Sequence, residues 1–117
     1  MSDRRVVYIE HAKAVRRYLH AIDRREDIES SAAWRASPRY MEFIEIAETL
    51  VIRSREELRQ IREELKKSQN VYDRVYYYTI VEKQKAEYIA KMTGYSRRQI
   101  CRYQRQIEEN IQKSVSE

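Results

Sequence analysis

Glycine and proline are almost absent from this chain, which contains one of each, Gly94 and Pro38, among 117 residues. Average proteins contain about 7% glycine and about 5% proline. The tight turns that connect strands depend on these two residue types, so strand-rich folds are disfavoured. Charged residues of both signs make up 37% of the chain, with periodic apolar positions between them. The sequence therefore predicts an all-α fold built from long amphipathic helices.

The distribution of cysteine, histidine and apolar residues excludes several classes of protein. Cys101 is the single cysteine, so no disulfide forms within the chain and a cysteine-rich zinc site is excluded. His11 and His20 lack metal-ligand spacing, and we expect neither a metal nor a cofactor. No apolar run approaches the roughly 20 residues of a membrane span, and the N-terminus lacks the apolar stretch of a signal peptide. We therefore expect a soluble, cytoplasmic protein with no membrane partner.

Positive charge is concentrated in one part of the chain. Seven basic residues lie between Lys83 and Gln106 against Glu87 alone, a net charge of +6, while the remaining residues sum to −1. A concentrated basic segment suits a polyanion, most simply the phosphates of a nucleic acid. A solvated helix face is the alternative that charge alone leaves open.

The first amphipathic segment predicts a helix over residues 3–27. Asp3 is expected to cap this helix, and aromatic, apolar or histidine side chains recur every three or four positions on one face. These side chains are Tyr8, His11, Val15, Tyr18 and Ile22. Residues 29–37 are mostly small or polar and predict a connection, from which we expect Trp34 to pack back onto a helix.

A second, longer helix is predicted over residues 38–67. Ser37 precedes Pro38, and serine caps helices while proline suits their first turn. A seam with heptad spacing follows, in which six of eight positions are apolar and two are serine. Its members are Ile44, Ala47, Val51, Ser54, Leu58, Ile61, Leu65 and Ser68. The two helices can pair within one chain as an antiparallel hairpin or between chains, and we favour a hairpin that contributes to a homodimer or higher oligomer.

The heptad pattern is interrupted at residues 68–70, which we interpret as a boundary between two domains. Residues 1–68 are expected to form the helical hairpin or coiled-coil segment, which would serve oligomerisation or polymerase contact. Residues 69–117 are expected to form a C-terminal helix-turn-helix domain. Asn and Ser at the boundary can cap the preceding helix or start a new one, and a further helix is predicted from Val71.

Four tyrosines are crowded into residues 72–78. Tyrosines at this density can stack on the bases of single-stranded nucleic acid. We favour a structural role instead, in which Tyr76 and Tyr78 help to build a small core while Tyr72 and Tyr77 lie at its rim.

Residues 86–103 contain the pattern of a helix-turn-helix. Gly94 falls where the turn between two helices needs a positive φ, and Tyr95 is expected to plug the turn from its apolar side. Ala90 must be small because the following helix crosses over it. The inner face of the first short helix is expected to comprise Ile89, Ala90 and Met92.

The second helix, residues 97–110, has the composition of a recognition helix. Ser96 is expected to cap it, and Ile100, Tyr103 and Ile107 to line its inner face. Arginine can bind O6 and N7 of guanine, and glutamine can pair with N6 and N7 of adenine. The predicted DNA-contacting residues of this helix are Arg97, Arg98, Gln99, Arg102 and Arg105.

Other side chains near this helix are given different roles. Lys83, Lys85 and Lys91 precede or flank the turn and are expected to contact phosphates, which orient a protein without specifying sequence. Cys101 is expected to be a half-buried filler, with contact to a thymine methyl as the alternative.

The C-terminal third resembles the region 4 helix-turn-helix of sigma-70-type factors. The likeness is carried by Tyr76-Tyr77-Tyr78, Ile89-Ala90, Gly94-Tyr95-Ser96-Arg97-Arg98 and residues 102–107. More narrowly, the chain resembles small phage regulators of the RinA/ArpU kind, which control late or autolysin genes and place a charged helical part before a sigma-like helix-turn-helix. The resemblance covers roughly residues 71–111. Residues that match recognition-helix positions by this resemblance are Ser96, Arg97, Arg98, Gln99, Arg102 and Arg105.

These observations lead us to expect a sequence-specific, double-stranded-DNA-binding transcriptional regulator, phage or prophage encoded and acting in the cytoplasm of a bacterial host. The 117 residues show no counterpart of sigma region 2, so the resemblance implies a regulator rather than a complete sigma factor. RNA polymerase is a further expected partner. A small terminase-like DNA-packaging subunit and a helical protein-interaction module without DNA binding are the alternatives. We expect no enzyme, because no nucleophile–base pair, phosphate loop or metal cluster is evident.

Overall fold

The computed structural model describes residues 5–116, with side chains described for residues 6–112. All regular structure in this range is helical, with no strand, so the predicted all-α class is confirmed. The elements are α1 (Arg5–Ser30), α2 (Ala32–Arg35), α3 (Tyr40–Lys67), α4 (Val71–Tyr76), a π-helical segment (Tyr77–Val81), α5 (Ala86–Thr93) and α6 (Arg97–Ser116). No helix in the described range is both long and apolar enough to cross a membrane.

The two long helices differ from the predictions only at their ends. The predicted cap Asp3 lies outside the described residues, and α1 continues to Ser30, beyond the predicted end at residue 27. Helix α3 begins at Tyr40 rather than Pro38. The Ser37 hydroxyl accepts a hydrogen bond from the backbone N–H of Arg39 at 3.2 Å, so this serine organises a turn just before the helix.

The interruption at residues 68–70 starts a new helix. Asn70 is the N-cap of α4, and its Oδ1 accepts a hydrogen bond from the backbone N–H of Tyr72 at 2.9 Å. Ser68 donates its hydroxyl to Oδ2 of Asp73 at 2.7 Å, and Asp73 is buried. Asn70, as the N-cap, and Asp73, as an acidic residue in the first turn, therefore both stabilise the start of α4.

By contact, the chain divides into two compact units, which differ from the predicted domains. The first joins Met1–Glu10 to Ile61–Glu117, and the second is His11–Gln60. We call them the multi-helix unit and the two-helix unit; the second is named for the long helices α1 and α3, and it also contains the four-residue α2. The proposed division at residue 68 stays a prediction, and the contacts assign the last turns of α3 to the multi-helix unit.

In the two-helix unit, α1 and α3 are antiparallel and contact each other. Arg17 pairs with Glu57, and Arg25 pairs with Glu48 at 3.3 Å. Buried Ile28, Ile44 and Ala47 form a small apolar cluster, against which Trp34, Tyr40 and Phe43 pack. The Trp34 and Phe43 rings meet edge to face at 4.8 Å, which confirms that Trp34 packs back onto a helix. All eight positions of the heptad seam are buried or half-buried.

The multi-helix unit has the larger core. Its buried side chains come from α1, α3, α4, the π-helical segment, α5 and α6, and they are Tyr8, Leu65, Val75, Tyr76, Tyr78, Ile89, Ile100 and Ile107. Tyr76 and Tyr78 are buried, whereas Tyr72 and Tyr77 are half-buried. The predicted division of the tyrosines into core and rim is therefore confirmed. The Tyr8 ring stacks on Tyr76 with centroids 4.2 Å apart and planes 6° from parallel.

Candidate nucleic-acid interface

Helices α5 and α6 are joined by a three-residue turn, Gly94-Tyr95-Ser96. Gly94 has a φ of 80° and a ψ of 3°, and its N–H donates to the carbonyl oxygen of Ala90 at 2.9 Å. This left-handed conformation is easily reached only without a Cβ atom. The role predicted for the single glycine is therefore confirmed.

The inner sides of α5 and α6 are packed into the core of the multi-helix unit. Ile89, Ile100 and Ile107 are at most 1% exposed, and Ala90, Tyr95 and Tyr103 pack against them half-buried. The Tyr95 and Tyr103 rings meet edge to face at 5.7 Å. This packing holds the turn and the start of α6 against the rest of the unit.

Met92 does not belong to this inner side, contrary to the prediction. Its side chain is 51% exposed. The half-buried residues of α5 are Ala86, Ala90 and Thr93, grouped around buried Ile89. Met92 follows Ala90 by two residues, which is a rotation of about 200° in an α-helix. The prediction failed because an apolar side chain near the end of a short helix was assumed to face inward.

Ser96 and Gln99 form a reciprocal cap at the start of α6. The Ser96 hydroxyl accepts a hydrogen bond from the backbone N–H of Gln99 at 3.2 Å, and the backbone N–H of Ser96 donates to Oε1 of Gln99 at 3.0 Å. This is a capping box, in which two exposed backbone donors are satisfied by two side chains. The predicted cap is confirmed, and the role of glutamine in it was missed although the spacing Ser-x-x-Gln signals it.

The capping box changes what Gln99 can do. A two-bond contact with adenine requires both the carbonyl oxygen and the amino group of the glutamine amide. The oxygen of Gln99 is occupied by Ser96 in this conformation. Gln99 therefore supports the helix start, and it is not arranged to contact adenine through both groups.

Three arginines of α6 share one exposed face. Arg98, Arg102 and Arg105 are exposed and follow the spacing i, i+4, i+7, which aligns side chains on one side of a helix. They span about 10 Å along the axis at about 1.5 Å per residue. Cys101 lies on the same face and is exposed, so the expectation of a half-buried filler is wrong.

Arg97 differs from these three arginines. Its Nε lies 3.2 Å from Oε1 of Glu87 on α5, and both side chains are mostly exposed. The pair links the first turn of α6 to the first turn of α5. It also neutralises part of the positive charge at this end of the helix, so Arg97 is less available to an anion than Arg98.

The three lysines predicted to contact phosphates are all exposed. Lys83 has a φ of 54°, a left-handed conformation that is uncommon for a residue with a side chain. Lys85 is extended and immediately precedes α5, and Lys91 lies in the last turn of that helix. They therefore come from the segment before α5 and from α5 itself, while the arginines come from α6.

An aromatic contact that the sequence did not indicate joins α4 to α6. The Tyr72 and Tyr103 rings meet edge to face, with their centroids 4.9 Å apart. A hydrogen bond also joins α6 to the π-helical segment, in which the side-chain amide of Gln104 donates to the hydroxyl of Thr79 at 3.0 Å. Burial raises the pKa of Tyr72, with a smaller rise from Tyr103 and an opposing effect of Arg102. Tyr72 is thus engaged in packing rather than available for base stacking.

Comparison with models of protein families, with curated proteins and with solved structures finds no match for this chain. Among the described residues, no three His, Cys, Asp or Glu side chains are grouped so that they could hold a metal ion. The function is therefore inferred from the geometry of α5, the turn and α6.

Proposed function

We propose that this chain is a sequence-specific, double-stranded-DNA-binding transcriptional regulator that reads the major groove with residues 97–110. The observation that carries the proposal is the arginine face of α6. Arg98, Arg102 and Arg105 are exposed together on a helix whose opposite side is buried. An α-helix fits the major groove, and arginine is the side chain that most often recognises guanine there.

The support around α6 is consistent with this role. The Gly94 turn and the Ser96–Gln99 capping box restrain the first turn of the helix, where recognition helices meet base edges. The exposed lysines Lys83, Lys85 and Lys91 are suited to phosphate contacts, which position a protein on the duplex. In this proposal α5, the turn and α6 act as a helix-turn-helix.

The resemblance to sigma region 4 and to small phage regulators leads us to extend the proposal. The α1–α3 pair acts as a hairpin that serves dimerisation or contact with RNA polymerase, and the chain is phage or prophage encoded. A dimer would place two recognition helices about 34 Å apart on one face of DNA, so the proposed site has two-fold-related halves.

The first test is fluorescence-anisotropy titration of the full chain with a random-sequence duplex from about 50 to 200 mM salt. Several neutralised phosphates predict a log–log slope of about −3 to −6. The variant Arg98→Ala/Arg102→Ala is expected to bind at least about ten-fold more weakly at the lowest salt, because two exposed cations of the interface are lost. The matched control is Arg35→Ala/Arg55→Ala, which removes the same charge from exposed positions of the two-helix unit.

Absence of binding at the lowest salt, or equal loss in both double variants, would contradict the proposal. With a specific site selected from a pool of duplexes, Arg98→Ala is expected to cost about 1–3 kcal/mol and to relax preference at one base pair. An equal loss on all sequences would instead make Arg98 a phosphate contact.

A further inference from the structure

The two-helix unit contains an open groove of about 430 Å³, which lies apart from the arginine face of α6 that carries the proposed DNA binding. Two of its lining residues are apolar, Ala21 of α1 and Leu50 of α3, and we call these two the floor of the groove. Leu50 is 43% exposed, which is unusual for a large apolar side chain beside a packed seam. The remaining lining residues are Arg16, Arg17, His20, Arg24, Arg53, Ser54 and Glu57.

The rim of this groove is strongly cationic. Four arginines line the groove, and the one carboxylate among its lining residues, Glu57, is paired with Arg17. Arg16, Arg24 and Arg53 have no carboxylate partner among the described residues. By contrast, Arg25 on the same helix pairs with both Glu29 and Glu48. The groove therefore keeps an uncompensated charge of three arginines over an apolar floor.

This combination selects the kind of ligand. A nucleic-acid backbone would match the charge, but it offers little apolar surface for Leu50 and Ala21. An amphipathic helix with an apolar stripe and flanking carboxylates matches both features. The aliphatic stems of the arginines add apolar surface beside the floor while their guanidinium groups stay in water. Arg16 and Arg24 are about 12 Å apart along α1, the length of about two helical turns.

We propose that the groove between α1 and α3 is a docking site for an acidic amphipathic helix of a partner protein. The helix places its apolar stripe on Leu50 and Ala21 and its carboxylates beside Arg16, Arg24 and Arg53. The site lies wholly within residues 11–60. Binding of a partner helix at this site can therefore be tested independently of DNA binding by α6.

The test uses the full chain and a synthetic 14-residue helical probe, labelled with fluorescein. The probe consists of two heptads. Each heptad carries leucine at its first and fourth positions, glutamate at the fifth and seventh positions that flank the apolar stripe, and alanine elsewhere. We expect Arg16→Ala/Arg24→Ala to weaken probe binding about ten-fold, because two charge pairs are lost. We expect Leu50→Glu to abolish binding, because it places a carboxylate in the floor. Arg35→Ala/Arg55→Ala should bind like the unaltered chain.

A second probe in which every glutamate is replaced by glutamine separates charge from apolar contact, and it should bind more weakly than the acidic probe. Equal binding of the two probes, or equal losses in the two double variants, would overturn the proposal. The same double variants are measured against a random DNA duplex and by sedimentation over a range of protein concentrations. If Arg16→Ala/Arg24→Ala loses DNA affinity or self-association instead of probe affinity, the groove serves phosphates or a second copy of the chain, and the proposal is wrong.

Discussion

The two units of this protein bury apolar surface to very different extents. The multi-helix unit gathers eight buried side chains from six elements into one core, whereas the cluster of the two-helix unit contains Ile28, Ile44 and Ala47. Large apolar side chains stay exposed on both units: Leu19, Met41, Ile46, Leu50 and Ile52 on the two-helix unit, and Val6, Ile80, Tyr88 and Met92 on the multi-helix unit.

The difference has a geometric cause. Two paired helices bury only the stripe that each turns toward the other, while helices that pack from several directions enclose a core. The multi-helix unit can therefore hold the arginines of α6 in a defined arrangement. The two-helix unit keeps apolar surface that a partner can cover.

The largest expected effect comes from truncating the core of the multi-helix unit. Ile100→Ala should lower the free energy of unfolding by about 2–5 kcal/mol, because Ile100 is fully buried and its truncation would leave a cavity in the core. Ile44→Ala in the two-helix unit should cost less, because Ile44 is 9% exposed and its surroundings can collapse. Urea unfolding measured by circular dichroism compares the two, and equal losses would remove the distinction between the units.

The next effect is a loss of stability at high pH, which arises from the buried Tyr76 of the same core. Burial raises the pKa of Tyr76 to about 12, with Arg62 opposing the rise, whereas the pKa of an unfolded tyrosine is about 10. The folded state favours the neutral phenol of Tyr76. The contribution of this preference to the free energy of unfolding is therefore fully present below about pH 10 and is lost as pH rises toward about 12. The loss is on the order of 2 kcal/mol.

Urea unfolding of the unaltered chain and of Tyr76→Phe from pH 9 to pH 12 tests this prediction. The variant has no phenol to ionise at this position, so its stability should decline less over that range. Parallel declines in the two proteins would show that the ionisation of Tyr76 is not coupled to unfolding.

A smaller effect is expected at the turn. Gly94→Ala should cost about 1–2 kcal/mol, because a Cβ atom disfavours the left-handed conformation. A Cβ placed there would meet no atom within 4 Å, so the loss comes from the backbone alone. Gly94→Asn should cost less, because asparagine tolerates this conformation. Thermal unfolding ranks the two variants, and equal losses would point to a cause other than φ.

The smallest effect compares helix caps in the two units. Ser96→Ala should cost about 0.5–2 kcal/mol, because it removes the hydroxyl of a two-way capping box. Ser31 caps the four-residue α2 with one longer hydrogen bond, 3.4 Å from the backbone nitrogen of Trp34. Ser31→Ala should therefore cost less than Ser96→Ala. A larger loss at Ser31 would mean that the short helix matters more to its unit than its contacts indicate.

Much of the local structure was predictable because its signals act within one or two helical turns. The single glycine marks the turn between α5 and α6, Ser96 starts α6, and the heptad seam marks the buried side of α3. The division of the tyrosines into core and rim was also predicted correctly. At the candidate site, the exposure of Arg98, Arg102 and Arg105 agrees with their predicted place on the outer side of the helix.

Other features were not predictable because they depend on which partner a side chain meets. Residue type suggested that Met92 is buried and Cys101 half-buried, and both are exposed. Asp73 is an acidic residue that is nevertheless buried, and Ser68 of the preceding segment donates a hydrogen bond to it.

By itself, the sequence determined that the chain is helical, where its main turn lies, and which segment carries the positive charge. These properties follow from backbone preferences and from spacing along a single helix. The tertiary structure decided that Tyr8 stacks on Tyr76 and that Arg97 pairs with Glu87. Such contacts depend on distances and orientations that exist only after the helices have packed, and no pattern within one helix specifies them.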